Sequence, residues 1–287
     1  MGINVLSLFD GISCGRIALE RVGIKVDNYF SSEIEPNAIN ISNKNYPQDE
    51  VNRLGDVTKW KDWNIDWSSI DLVTGGFPCQ AWSLAGKQLG DKDERGMLFW
   101  VMLDIMKKVL EHNPKAKFLI ENVKMKKEFE EYITLHTTNA LGEVYKHLID
   151  SSLLSAQRRK RYYWTNIENI QQPEDMEILF SSILDEVEFR ELPKCAFGKF
   201  GDNQRIDSFN YINNQKSNTL TTNNSHTTQY LLNEDKTKCR LMTQFEWERL
   251  QTLPPNYTDG FPKTTACKAI GNGWTVDVIA HIFKGLK

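Results

Sequence analysis

Residues 75–80 read Gly-Gly-Phe-Pro-Cys-Gln and follow the apolar run Asp71-Leu72-Val73-Thr74. A cysteine on a tight turn at the end of a strand is well placed to be a nucleophile. The strand fixes its origin, Pro78 stiffens the turn, and Gly75 and Gly76 let backbone pass close to a ligand. A lone cysteine is as readily a small buried hydrophobe, so the case for Cys79 rests on other groups in the chain. A thiolate needs positive surroundings to ionise near neutral pH. Arg159 and Arg161, in the basic run Gln157-Arg158-Arg159-Lys160-Arg161, can supply them. Glu121, at the end of the predicted strand Phe118–Ile120, offers a carboxyl group that can hydrogen-bond a reacting ring.

The elements that must position these groups are visible as a pattern. Val5-Leu6-Ser7-Leu8-Phe9 reads as a short buried strand. It runs into Asp10-Gly11-Ile12-Ser13-Cys14-Gly15 and then a helical stretch, Arg16 to Val22, stopped by Gly23. Strand, glycine loop and helix are how doubly wound folds open a nucleotide site at the carboxyl ends of their strands. A second strand, Val26 to Ser31, delivers Glu33 about 20 residues beyond Gly11, the spacing at which an acid meets ribose hydroxyls. Neither a Gly-x-Gly-x-x-Gly nor a phosphate-loop pattern occurs, so a nucleoside ligand without phosphates fits best. Asp71–Thr74 and Tyr162–Thr165 read as further strands, with a helix over Leu98–Leu110. After about Ile167 the pattern breaks, and residues 198–229 are rich in Gly, Asn, Ser and Thr. Helical signals return with a Thr243-x-x-Glu246 capping box and a closing apolar stripe of Val276, Ile279, Ile282, Phe283 and Leu286.

Together these segments resemble the cytosine-5 DNA methyltransferases of bacterial or phage type, over essentially the whole chain and in that family's order. Leu8-Phe9-Asp10-Gly11 resembles its first S-adenosylmethionine motif, Ser32-Glu33 the ribose-binding acid, and Gly55-Asp56-Val57 the adenine-binding turn. Gly76-Phe77-Pro78-Cys79-Gln80 resembles the catalytic loop, Glu121-Asn122-Val123 the base-clamping motif, and Gln157 to Arg161 the Gln-x-Arg-x-Arg motif. Gly271-Asn272-Gly273-Trp274 resembles the last motif, which returns to the cofactor site. Two departures stand out. Ser217-Asn218-Thr219-Leu220-Thr221 has asparagine near the place of the family's arginine. Gly273-Trp274 replaces Ser-Val and, like the Val-Leu-Ser-Leu-Phe-Asp-Gly start, is similar to the animal de novo methyltransferases.

The resemblance implies an α/β fold: a doubly wound S-adenosylmethionine-dependent methyltransferase sheet with a small, mostly β and loop recognition domain. Residues 1–165 and 241–287 would form the catalytic domain and 166–240 the target recognition domain. Cys79, Glu121, Arg159 and Arg161 are then the expected catalytic residues. Phe9, Asp10, Gly11, Ile12, Glu33, Ile34, Asp56, Val57, Gly76, Pro78, Asn272 and Trp274 are expected around S-adenosyl-L-methionine and its product S-adenosyl-L-homocysteine. Gln80, Ser83, Lys87, Arg95, Gln157, Arg158 and Lys160 are expected on double-stranded DNA. No metal is implied.

Bulk properties agree. The 287 residues, 40% hydrophobic and 25% charged, can bury a full core. No apolar run approaches the ~20 residues of a membrane span, and no signal-peptide pattern opens the chain. Five cysteines without paired spacing point to neither disulfides nor zinc. A net charge of −3 is unusual for a DNA binder, so a basic cleft on an acidic surface is expected. The chain is read as a cytoplasmic monomer, DNA-associated in a bacterial or phage-infected cell, with a cognate restriction enzyme as a further candidate partner. Two alternatives have discriminating features. The tRNA-methylating branch carries Cys-Phe-Thr, whereas Cys195 is followed here by Ala196-Phe197. A non-catalytic paralogue would have lost the nucleophile or the cofactor loop, and both are retained.

Overall fold

The computed structural model describes residues 2–78, 96–191, 209–221 and 230–287. Cys79, Gln80, Ser83, Lys87 and Arg95 lie outside the described residues. The chain divides into two compact units, one of Met1–Ile149, Lys160–Gln172 and Ile279–Lys287, the other of Asp150–Arg159 and Pro173–Val278. Residues 150–159 and 241–278 thus group with the second unit. The reason is packing: helices of 244–272 and the strands before them share contacts that a change in composition does not reveal.

The first unit is built on six strands: β1 (Ile3–Leu8), β2 (Val26–Ser32), β3 (Leu72–Gly75), β4 (Lys117–Val123), β5 (Tyr145–Asp150) and β6 (Lys160–Thr165). Their order is β2-β1-β3-β4-β6-β5. β1 pairs in parallel with β2 and β3, and β3 with β4, while β6 runs antiparallel to β4. The chain therefore leaves β1 towards both sides. This is the topological switch point at which doubly wound sheets bind ligands.

The register makes the point sharper. Leu8 is level with both Ser32 and Gly75, and Gly75 is level with Ile120. One residue further along each strand come Phe9, Glu33, Gly76 and Glu121. Four expected site residues from distant parts of the chain thus stand level with one another, Phe9, Glu33 and Gly76 just past the carboxyl ends of β1, β2 and β3 and Glu121 within β4.

Helices hold this edge in place. α1 (Cys14–Arg21) ends as Gly23 takes φ 73°. Gly23 N–H donates to the Glu20 carbonyl and Ile24 N–H to that of Leu19, a Schellman closure that needs the left-handed glycine. α2 (Pro36–Asn45) starts with its proline in the first turn. α3 (Met97–His112) buries Phe99, Met102, Ile105, Met106 and Val109 beside Val73, Phe118, Ile120 and Trp164 in the main core, which α4 (Lys127–Leu141) joins through Ile133. All four residues of β3 are buried, as expected of an inner parallel strand.

The second unit contains short strands β7 (Arg190–Glu191), β8 (Asn210–Tyr211), β9 (Tyr230–Leu232) and β10 (Lys238–Leu241) in the order β7-β10-β9-β8. It also holds α5 (Gln244–Leu250) and α6 (Lys263–Asn272). α5 opens with the expected capping box: Glu246 N–H donates to Thr243 Oγ1 at 3.1 Å, and Thr243 N–H to Glu246 Oε2 at 2.7 Å. The closing helix, α7 (Val276–Phe283), begins in the second unit and continues in the first from Ile279, and it buries Val276, Ile279, Ile282 and Phe283 completely.

Candidate active site

The loop leaving β1 is held in an unusual shape. Phe9, Gly11 and Ser13 have φ of 55°, 58° and 59°. Such a backbone costs about 1–3 kcal/mol at a non-glycine residue and persists only where surroundings over-determine it. Asp10 does that. Its side chain is 1% exposed and accepts hydrogen bonds from Ser7 Oγ (2.7 Å), Ser13 Oγ (2.6 Å) and Tyr29 Oη (2.7 Å), with Arg53 Nη1 at 3.5 Å. Expected at the cofactor, the Asp10 carboxylate is instead enclosed, and it shapes the loop from beneath. Ile12 and Val57 also turn their side chains inward. They are 1% and 6% exposed, so their side chains belong to the core and only their backbone can meet a ligand. Phe9 is partly buried against the main core.

Glu33 is aimed by backbone. Gly11 N–H donates to its Oε2, and the Ile34 and Glu35 N–H groups to its Oε1, each at 2.8 Å. A carboxylate can accept about four hydrogen bonds, so acceptor capacity remains for a ribose hydroxyl. Ile34 beside it is 69% exposed, a large apolar side chain set next to the acid. The turn carrying Asp56 is tied to the end of β2 by Leu54 N–H to the Ser31 carbonyl (2.8 Å) and Ser32 Oγ to the Gly55 carbonyl (2.7 Å). Asp56 Oδ1 accepts from Thr58 N–H and then Thr58 Oγ1, bonds that hold its carboxyl below the usual range. Side chains built at Gly11 or Gly55 would meet nothing within 4 Å, so space lies open beside both.

An aimed acid, an apolar face and a second acid on a neighbouring turn suit the ribose, the adenine ring and its exocyclic amine of S-adenosylmethionine. Glu33→Ala is expected to weaken binding of that nucleoside by about 1–3 kcal/mol, read by calorimetry on the folded variant. Unchanged affinity would move the cofactor elsewhere.

At the end of β4 the side chains alternate. Glu121 faces one way and pairs with Arg161 of β6, Nε to Oε1 at 3.1 Å, with both side chains largely enclosed at 14% and 12% exposure for the arginine and the acid. Arg161 Nη1 also donates to the Lys160 carbonyl at 2.9 Å. Asn122 faces the other way and is 1% exposed. Its Nδ2 donates to the Phe77 carbonyl at 3.1 Å, and its Oδ1 accepts from Val123 N–H at 2.8 Å. Asn122 therefore holds the segment that leads through Pro78 towards Cys79. Gly76 and Pro78 are half-buried, while Phe77 is buried against Phe99 with ring centroids 5.1 Å apart. As a motif member Asn122 was legible in sequence, but its positioning role was not.

The basic run alternates in exposure rather than acting as one charged block. Gln157 and Arg159 are buried at 0% and 5%, whereas Arg158 and Lys160 are exposed. Expected on DNA, the Gln157 side chain is instead spent inside the second unit. It donates to the Leu250 carbonyl and Gln251 Oε1, and accepts from Leu220 N–H at 2.8 Å. Expected at the reacting centre, Arg159 instead donates to the carbonyls of Leu220 (3.1 Å), Gly271 (3.2 Å) and Gly273 (3.1 Å), so its guanidinium organises the last motif.

Gln251, which no motif flagged, completes the knot. It donates to the Ile270 and Gly273 carbonyls and accepts from Thr275 Oγ1 at 2.6 Å. Asn272 is exposed at the end of α6, and Trp274 is half-buried. Gln157→Ala leaves buried polar groups unsatisfied and is expected to destabilise the protein by about 1–3 kcal/mol. Arg158→Ala, exposed, is expected to leave stability within about 0.5 kcal/mol. Denaturant unfolding checks both, and equal losses in the two variants would contradict this division of roles.

Comparison with known proteins adds independent findings. A family model for the C-5 cytosine-specific DNA methylases matches residues 3–191 and 174–287. The type II methyltransferase M1.ScrFI of Lactococcus lactis subsp. cremoris is 31% identical over 308 aligned positions, covering 97% of this chain and 76% of that protein. The type II methyltransferase M.HhaI of Haemophilus parahaemolyticus is 31% identical over 189 positions, 62% of this chain and 54% of the relative. Among solved structures, the Entamoeba histolytica methyltransferase EhMeth superposes with a TM-score of 0.77 at 18% identity, covering 100% of this chain and 99% of that one. A putative DNA modification methyltransferase from an E. coli prophage gives a TM-score of 0.67 at 18% identity, with 99% and 98% covered. At these identities the structures establish the fold alone.

Proposed function

The chain belongs to the C-5 cytosine-specific DNA methylases, and from that premise we propose that it methylates C5 of a target cytosine within a specific sequence of double-stranded DNA. The observation that carries this reading is the common level in the sheet at which Phe9, Glu33, Gly76 and Glu121 stand. It sets a nucleoside site and a carboxyl group beside the segment leading to Cys79.

The chemistry needs those groups together. Cytosine C5 is a poor nucleophile towards a sulfonium methyl. Addition of a thiolate to C6 turns the ring into an enamine whose C5 is nucleophilic. Cys79 supplies the thiolate. Glu121 hydrogen-bonds N3 and the exocyclic amine and so draws charge off the ring as the sulfur adds. Arg161 fixes the Glu121 carboxyl, and Asn122 fixes the backbone before the nucleophile. S-adenosylmethionine, when bound, supplies the methyl group, and Glu33, Ile34 and Asp56 are the residues that hold it. After transfer, loss of the C5 proton and departure of the Cys79 sulfur restore the aromatic ring.

None of these steps can occur inside a stacked duplex, so the cytosine must be extruded. Arg158 and Lys160 contact phosphates, and Gln80, Ser83, Lys87 and Arg95, which follow Cys79 in sequence, contact the DNA as well. Residues 166–240 read base edges. Kinship with type II methyltransferases supports a role beside a restriction enzyme. Bisulfite sequencing of DNA from cells expressing the protein is expected to reveal cytosines protected within one sequence context. A purified protein that methylates tRNA but leaves duplex DNA untouched would reassign the substrate.

A further inference from the structure

Arg53 stands two residues before Gly55-Asp56 and belongs to none of the motifs. Its backbone lies beside the end of β2, bridged in parallel to Ser31, and Leu54 N–H donates to the Ser31 carbonyl at 2.8 Å. The side chain is 14% exposed and turns inward. There each edge of the guanidinium meets a different group. Nε donates to Asn43 Oδ1 of α2 at 2.9 Å, and Nη2 to Ser42 Oγ of the same helix. Nη1 donates to Ser31 Oγ of β2 at 2.9 Å and stands 3.5 Å from Asp10 Oδ2. Ser13 Oγ completes the network, bonding Asp10 Oδ2 at 2.6 Å and also Ser42 Oγ. Ser31, Ser42 and the Asp10 carboxyl group are enclosed, so solvent does not make good a bond lost here.

Where these acceptors lie gives the network its meaning. Asp10 shapes the loop whose Gly11 N–H donates to Glu33. Ser31 stands two residues before Glu33 on the same strand, and α2 follows Ile34 and Glu35, whose N–H groups aim that acid. The main chain of Arg53 itself runs into the Asp56 turn. One guanidinium thus joins the segments that set both acids of the nucleoside site. Arg16 provides the contrast. It is as enclosed, at 10%, and pairs with Asp49 at 3.1 Å and Glu20 at 3.0 Å, but neither partner belongs to a segment that aims Glu33 or carries Asp56.

We infer that Arg53 is a positioning residue for the cofactor, setting Glu33 and Asp56 at the separation that the nucleoside of S-adenosylmethionine requires. Its planar fork serves β2, α2 and Asp10 at once, which the single ammonium of a lysine cannot do. This inference rests on the proposed placement of the cofactor.

The experiment measures S-adenosylmethionine and S-adenosylhomocysteine binding by calorimetry, with thermal unfolding of the same samples to establish that each variant is folded. Arg53→Lys keeps a positive charge for the buried Asp10 carboxylate. It is expected to weaken both ligands by the same factor, about tenfold or more, because the lost bonds serve the nucleoside that the two share and not the methyl group. Asn43→Ala removes one acceptor and keeps the Arg53–Asp10 pair, and is expected to weaken both ligands by less. Arg16→Lys is expected to lower the unfolding temperature and leave both affinities unchanged. Wild-type affinity in Arg53→Lys (or in Asn43→Ala, should the lysine variant not fold) would overturn the inference while a loss in Glu33→Ala left the cofactor site standing. Equal losses in Arg53→Lys and Arg16→Lys would also overturn it, as the mark of general loosening. Wild-type affinity in Glu33→Ala would count against the proposed site itself, and against this role of Arg53 with it.

Discussion

Cys79→Ala is expected to abolish methyl transfer, lowering kcat by about 10⁴–10⁶-fold, the loss typical when a covalent nucleophile is removed. Cofactor affinity should stay near the wild-type value, because Glu33 is aimed by backbone amides of residues 11, 34 and 35 and not by the segment after Pro78. A duplex carrying 5-fluorocytosine at the target is expected to trap the native protein covalently. Fluorine at C5 cannot leave as a proton, so the sulfur–C6 bond is not released. A denaturing gel with labelled DNA reads the adduct. Substantial turnover by the alanine variant, or no adduct with the native chain, would place the nucleophile elsewhere.

Glu121→Gln is expected to lower kcat by about 10²–10⁴-fold, the range for a positioned general acid or base, with duplex binding little changed. Glutamine preserves shape and loses only the carboxyl group. Arg161→Ala is expected to act through the same group, because its guanidinium stands 3.1 Å from Glu121. The two losses should therefore be strongly non-additive, the double variant being little worse than the poorer single one. Single-turnover methylation with tritiated cofactor measures all three. Fully additive losses would show that Arg161 has a separate role.

Some of this site is legible in sequence for a clear physical reason. Glu33 directly follows a predicted strand and Glu121 follows the apolar run Phe118–Ile120, so both are expected where buried chain gives way to a site. Motif membership does not say which way a side chain points. Asp10 and Asn122 sit inside motifs, yet both turn inward, one to brace a loop of left-handed residues and the other to hold the Phe77 carbonyl. The run Gln157 to Arg161 looks basic throughout, yet Gln157 and Arg159 are buried by their own hydrogen bonds while Arg158 and Lys160 stay outside. Gln251 carries no signal at all. Its value comes from meeting Gln157, Ile270, Gly273 and Thr275, contacts that exist only once α5 and α6 are packed.

The inner strands of the first unit bear on synthesis. Parallel neighbours cannot be joined by a tight turn, so each pairing among β1, β2, β3 and β4 must wait for an intervening stretch of chain. Long-range pairings of this kind form slowly. Glu121 gains Arg161 only when β6 closes on β4, after the ribosome has released most of the first unit. A nascent chain can thus display the cofactor loop early while its carboxyl group has no partner. Completion of the Glu121–Arg161 pair thus comes late in the folding of the first unit.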